Sequence, residues 1–112
     1  MKTLKQFADQ FNKHKDRPRE LKECLGEQTV AWAEVVDMLL PIRRKRMDFF
    51  IENKKIYAEK PLSDKTVEAM WLAKGDGVLE ERLEAYKKCL TTIMSNTKAA
   101  MRDNEIQARN LH

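Results

Sequence analysis

The middle of the chain carries a basic segment, residues 43–46, in which four cationic side chains follow one another: Arg43, Arg44, Lys45 and Arg46. Two aromatic residues, Phe49 and Phe50, come soon after it. Guanidinium and ammonium groups bind phosphate oxygens, and aromatic rings beside a basic track stack on the bases of single strands. Adjacent helical side chains point about 100° apart, so at least one of the two rings is expected in the core. The segment predicts a nucleic-acid-binding surface, with Phe49 as the candidate base-stacking residue.

On a helical wheel the four cations of the basic segment divide into two pairs. Arg44 and Lys45 fall on a polar arc, which is typical of a solvated helix face. Arg43 and Arg46 fall between apolar neighbours such as Met47. Guanidinium groups in such positions extend to solvent, pair with carboxylates, or line an interface that an anion approaches. The sequence leaves these alternatives open.

No constellation of side chains indicates catalysis or a bound cofactor. His14 and His112 are far apart in the sequence, and neither belongs to a zinc-binding H-E-x-x-H motif. Asp76 lies between Gly75 and Gly77, and a helix that ends at a glycine before an aspartate cap accounts for this pattern. We therefore expect a protein that is not an enzyme and that binds neither a metal nor a cofactor.

The composition is that of a single helical domain. The 112 residues include 36% charged and 42% hydrophobic residues but only three glycines and three prolines, which favours helices over disorder. The net charge is +4, and residues 1–60 carry the whole excess, which suits an acidic partner. Cys24 and Cys89 fall at apolar helical positions, so both are expected to be buried, reduced thiols of a cytoplasmic protein. No apolar run reaches the length of a membrane span, so no membrane association is expected.

Apolar periodicity predicts helices throughout and no strand. Gly26 is expected to end a helix, and Pro41 to end or kink one. The predicted fold is an all-α bundle of about five helices within one domain, residues 1–112. Its two halves are a basic region with a DNA-binding helix, residues 1–60, and an assembly region, residues 61–112. The main helices are expected at residues 3–13, 18–25, 30–40, 42–58 and 78–101, with a shorter one beginning near residue 64.

The long C-terminal amphipathic helix carries a stripe of residues in alternating steps of four and three: Leu79, Leu83, Tyr86, Leu90 and Ile93. This is the spacing of a coiled-coil seam. An ordinary core stripe and a contact between subunits are equally consistent with it.

Two segments of the chain resemble the UvsY-type phage recombination mediators. Residues 43–50, "RRKRMDFF", are similar to that family's signature of a basic residue, any residue, a basic residue, a hydrophobic residue, aspartate and two aromatics. Arg44 and Arg46 take the basic places. Residues 62–111 are similar to the family's carboxyl half, with a short helix, the break "AKGDGVL", a long amphipathic helix, and then Arg102 and Ile106. The chain departs from the pattern at Pro41, where the helix before the basic motif is expected to run on.

The resemblance implies a small non-catalytic protein that assembles into a homo-oligomeric ring and binds single-stranded DNA. Its protein partners would be a RecA-like recombinase and a single-strand-binding protein, which the recombinase replaces on the strand with the mediator's help. It would act without a cofactor in the cytoplasm of a phage-infected bacterial host. The resemblance assigns phosphate contacts to Arg44 and Arg46, and assembly to the helix that begins near residue 78.

Two other functions are open. The chain could be a small helical protein-binding module, such as a phage inhibitor of a host protein, that never touches nucleic acid. The cations would then meet an acidic protein surface, and Phe49 or Trp71 would act as apolar anchors. A reader of duplex DNA ranks third, because the late helix presents charges of mixed sign rather than base-reading side chains.

Overall fold

The computed structural model describes residues 2–56, 60 and 62–110. These residues form four helices and no strand: α1 Leu4–His14, α2 Pro18–Ile56, α3 Asp64–Leu72 and α4 Gly75–Asn110. The prediction of an all-α fold is confirmed, with four described helices where about five were expected. The chain divides into two compact units, which we call the terminal unit, residues 1–35 with 86–112, and the central unit, residues 36–85.

The predicted helix end at Gly26 is wrong, because Gly26 lies inside α2. Pro41 also lies inside α2, so of the two alternatives predicted for it, an end of the helix is excluded. Gly26 is exposed and has no neighbouring side chain to pack against, so its cost is the conformational entropy of a glycine in a helix. Pro41 has no N–H to bond the carbonyl oxygen of Asp37. Both residues are exposed, so water can reach that part of the helix. The predicted end at residue 58 lies outside the described residues.

The terminal unit is built around a small apolar cluster. Phe7, Ala31 and Leu90 are its buried centre, and five partly buried residues pack against it: Leu4, Trp32, Tyr86, Ile93 and Met94. Thr3 caps the start of α1 with a capping box. The Thr3 side chain accepts a hydrogen bond from the backbone N–H of Gln6, and the Gln6 side chain accepts one from the backbone N–H of Thr3. This cap satisfies two backbone donors at the start of α1.

The central unit brings α3 and the start of α4 into close contact. Its buried apolar residues include Leu39, Ile42, Val67, Trp71 and Leu83. Ser63 caps α3 by accepting from the backbone N–H of Thr66 at 3.2 Å. A short connection then turns the chain into α4, so the elements that surround the basic segment are the middle of α2, α3 and the first turns of α4.

Gly77 is the residue that this connection requires. A Cβ atom built at Gly77 would lie 2.0 Å from the carbonyl oxygen of Trp71, whereas one at Gly75 would meet nothing within 4 Å. The expected glycine cap followed by an aspartate cap is wrong, because Ala73 caps α3 in a right-handed conformation and α4 begins at Gly75. Close backbone approach, rather than a left-handed turn, is the reason for glycine here.

The two cysteines differ in environment. Cys24 is buried, and loss of hydration raises the pKa of its thiol. Cys89 is exposed, so the prediction of two buried thiols is wrong for Cys89. It is the neighbour of fully buried Leu90, and adjacent helical residues point in different directions. Among the described residues, no helix is long and apolar enough to cross a lipid bilayer.

Gly77→Ala is expected to destabilise the protein by about 1–3 kcal/mol, the usual range for forcing extra atoms into a packed site. Gly75→Ala is the matched control, since its new methyl group meets open space. Urea unfolding followed by circular dichroism measures both variants. Equal stabilities for the two variants would contradict the role assigned to Gly77.

Cys89 is expected to react with a thiol reagent under native conditions, and Cys24 only when the fold opens, because a buried thiol of raised pKa carries little thiolate. Mass spectrometry of the alkylated protein, with and without denaturant, distinguishes the two sites. A time course of alkylation under native conditions should show a fast phase, and the variants Cys24→Ala and Cys89→Ala identify which thiol accounts for it. A fast phase that survives in Cys89→Ala would show that Cys24 is accessible.

Candidate nucleic-acid interface

The basic segment lies on the surface of α2 within the central unit. The side chains of Arg43, Lys45 and Arg46 are 43%, 63% and 41% exposed, and Arg44 is exposed as well. All four residues lie in one continuous helix, α2, so successive side chains point in directions about 100° apart. Phosphate groups can therefore reach every cation of the segment.

Three of the four cations already face carboxylates of α3 and α4. Arg43 donates a hydrogen bond to Glu84. Lys45 lies 3.9 Å from an oxygen of Asp76, and Arg46 lies 3.6 Å from Glu80 and 4.0 Å from Glu68. Of the alternatives that the sequence left open for Arg43 and Arg46, pairing is the one observed. Periodicity within one helix could not indicate it, because the partners belong to other helices.

Arg44 is the exception. Its side chain makes no ion pair with another described residue, and the favourable spacing to Asp48 does not produce one. The central unit as a whole holds ten Lys and Arg residues and ten Asp and Glu residues, so its net charge is zero. The terminal unit holds twelve against eight and carries the whole excess. Attraction of a polyanion to α2 thus depends on the local field at Arg44 and not on the charge of the unit.

Arg46 has a structural task at a buried carboxylate. Glu80 is only 8% exposed, and its Oε1 accepts from the indole N–H of Trp71 at 3.4 Å. The second oxygen of Glu80 is buried without a hydrogen-bond partner among the described residues. A buried carboxylate without a counter-charge is costly, so loss of Arg46 is expected to cost more stability than loss of Arg43 or Lys45, whose carboxylate partners are partly exposed.

The two phenylalanines lie in different surroundings. The Phe49 ring packs on Trp71 with centroids 5.5 Å apart, and the ammonium group of Lys74 lies 4.4 Å from the Phe49 centroid. Phe49, the predicted stacking residue, is therefore engaged by its own chain. Phe50 instead lies beside the guanidinium of Arg46, at 5.5 Å.

A surface groove of about 530 Å³ opens beside the basic segment. Its lining combines two guanidinium groups with three apolar side chains: Arg43, Arg46, Met47, Phe50 and Ile51. Met47 and Ile51 are 65% and 50% exposed. The sequence reasoning missed this groove, although the recurrence of apolar residues after the cations was a signal for it. Phe50 is the ring that the groove presents to a ligand.

The residues predicted to mediate assembly lie mostly in the protein's own packing. Leu90 is fully buried and Leu83 is 7% exposed. Tyr86 and Ile93 pack against the apolar cluster of the terminal unit, and the Tyr86 hydroxyl donates to the Lys2 carbonyl at 2.7 Å. Leu79 is 43% exposed and is the one member of the stripe with a largely open side chain. A core stripe accounts for the other four.

Comparison of the chain with protein-family models, with curated proteins and with solved structures finds no match.

Arg46→Gln is expected to cost about 1–3 kcal/mol of unfolding free energy, because it leaves the Glu80 carboxylate buried without its counter-charge. Arg43→Gln is the matched control, because Glu84 is 42% exposed at its side chain and loss of an exposed pair costs about 1 kcal/mol or less. Urea unfolding measures both. The double variant Arg46→Gln/Glu80→Gln should recover part of the loss, and equal losses for Arg46→Gln and Arg43→Gln would contradict this assignment.

Proposed function

We propose that the protein is a recombination mediator that binds single-stranded DNA along α2 and helps a RecA-like recombinase to replace a single-strand-binding protein. In this proposal it is not an enzyme, it needs no cofactor, and several copies form a ring that acts in an infected bacterial host. One observation supports the DNA-binding step: the motif that resembles the mediators lies on the open surface of α2, where Arg44 is exposed and makes no ion pair with another described residue.

The ion pairs of the segment set the strength of that step. Pairs between partly exposed side chains contribute about 0–1 kcal/mol each, so phosphate can replace Glu84 at Arg43 and Asp76 at Lys45. Arg46 is less available, because a strand that bound it would have to leave Glu80 uncompensated. The phosphate-binding set is therefore Arg44 first, then Lys45 and Arg43. The resemblance instead assigns the phosphate contacts to Arg44 and Arg46, so the two assignments agree on Arg44 and differ on Arg46.

A single copy would bind weakly. Contacts with ~3 phosphates give a slope of log affinity against log salt of about −2, at about −0.7 per contact on a single strand. A ring would present the same segment several times to one strand, and linked sites raise the overall affinity through effective concentration. Assembly is thus part of the proposed binding mechanism.

The test compares two variants that each remove two positive charges. Arg44→Gln/Lys45→Gln should weaken binding to a labelled oligodeoxythymidylate and reduce the magnitude of the salt slope by about 1.4 per copy, since two contacts of about 0.7 each are lost. Lys13→Gln/Lys15→Gln, with both residues exposed near the end of α1, should leave the slope unchanged. Fluorescence anisotropy across a salt series measures both.

Two outcomes would contradict the proposal. One is that the parent protein does not bind the labelled oligonucleotide at low salt. The other is an equal loss of binding in the two double variants, which would indicate attraction to the charge of the whole chain. The mediator step has its own readout: the protein should bind an oligonucleotide already covered by single-strand-binding protein and form a ternary complex.

The groove favours a second candidate function, a helical protein-binding module without nucleic-acid binding. Exposed Met47 and Ile51 and the Phe50 ring line the groove together with Arg43 and Arg46, which suits an amphipathic segment that carries acidic residues. Binding of such a peptide that is lost in Met47→Ser/Ile51→Ser, together with no binding of the oligonucleotide, would favour this function.

A further inference from the structure

The outer face of α2 in the central unit carries a regular pattern, which we call the α2 seam. It consists of five exposed residues in steps of three, four, three and four: Asp37, Leu40, Arg44, Met47 and Ile51. Leu40, Met47 and Ile51 are 52%, 65% and 50% exposed. The side chains of Asp37 and Arg44 make no ion pair with another described residue.

Single exposed apolar residues are normal on protein surfaces. The α2 seam differs because its members repeat at the a and d positions of a heptad, which places them in one stripe along the helix. The opposite side of the same stretch supplies buried Leu39 and Ile42 to the protein's own core. This part of α2 therefore has one apolar face that the chain covers and another that it leaves open.

The charges in the α2 seam indicate what covers it. Asp37 and Arg44 occupy the same heptad position seven residues apart, with Leu40 between them. If a second copy packed in parallel, each charge would meet itself, which is unfavourable. If it packed antiparallel about a two-fold axis midway between Asp37 and Arg44, each Asp37 would lie beside Arg44 of the other copy, and this pair would occur twice.

We propose that the α2 seam binds the α2 seam of a second copy of this chain, antiparallel and across a two-fold axis. The Leu40 side chains of the two copies meet at the axis, and Met47 and Ile51 of each copy lie further along α2 of the other, opposite its exposed Glu34 and Val30. Two Asp37–Arg44 pairs select the orientation. The groove beside Met47 and Ile51 gives the second copy room for side chains that flank the seam. The contact goes beyond the proposed mediator function: it needs no DNA and uses α2 rather than the predicted assembly helix, and it shares only Arg44 with the proposed DNA-binding step.

Charge reversal tests both the contact and its direction. Light scattering with size exclusion over a concentration series should give the parent a mass above the 13.2 kDa of one chain. Asp37→Arg and Arg44→Asp should each weaken association at least tenfold, because each places two like pairs at the contact. An equimolar mixture of the two variants should associate as the parent does, and so should the double variant Asp37→Arg/Arg44→Asp.

Glu52→Arg is the matched control, because it makes the same change of charge at an exposed position of α2 outside the seam. It should associate like the parent, and circular dichroism should show all variants folded. Three results would overturn the proposal: a parent that stays at the mass of one chain at every concentration, single variants that associate as tightly as the parent, or single variants that lose association without recovery on mixing. The second result is expected of a parallel contact, and the third of a contact with a different surface.

Binding of the oligonucleotide by the same variants separates this proposal from the mediator function. Asp37→Arg adds a positive charge near the basic segment and removes no phosphate contact. Its affinity for the oligonucleotide should therefore not fall below that of the parent, even where self-association is lost. A folded Asp37→Arg that keeps the parent's association disproves the seam contact, whatever its affinity for DNA.

Discussion

Glu80 carries a carboxylate into the interior of the central unit, and the arrangement of its neighbours follows from the need to compensate it. The indole of Trp71 donates to it and Arg46 faces it. Loss of this counter-charge would cost about 1–3 kcal/mol of unfolding free energy. α3 contributes Trp71, α4 contributes Glu80, and α2 contributes Arg46, so one electrostatic requirement ties the three helices of this unit to one another.

That requirement divides the basic segment by task. Arg46 serves the interior, whereas Arg43 and Lys45 pair with carboxylates at the surface that water can replace. Arg44 faces solvent and makes no ion pair with another described residue. A run of four cations therefore does not amount to four equivalent phosphate contacts, and the zero net charge of the central unit removes the long-range attraction that a basic unit would have. The proposed DNA-binding step thus depends on exchange of ion partners and on several copies acting together.

In the two proposals, the same helix takes part in DNA binding and in self-association. Arg44 belongs both to the phosphate-binding set and to the α2 seam, so a strand and a second copy would compete for it. The neighbouring groove is lined by Arg43 and Arg46 together with the seam residues Met47 and Ile51. A surface of this composition accepts anions and apolar side chains together, which is consistent with a protein that acts by exchanging macromolecular partners.

The sequence by itself determined the helical class, the amphipathic stretch of α4 and the stripe through Leu83 and Leu90, because these follow from a period of about 3.6 residues within one segment. It did not determine whether Pro41 ends α2, because burial of neighbouring residues, here Leu39 and Ile42, can outweigh the cost of a proline in a helix. Only the tertiary structure decided which cations are compensated. Glu84 and Glu80 are far from Arg43 and Arg46 in the chain, and a charge is neutralised by what lies near it in space. The α2 seam likewise depends on the tertiary structure, because packing of the core decides which faces of the helix are buried and which stay exposed.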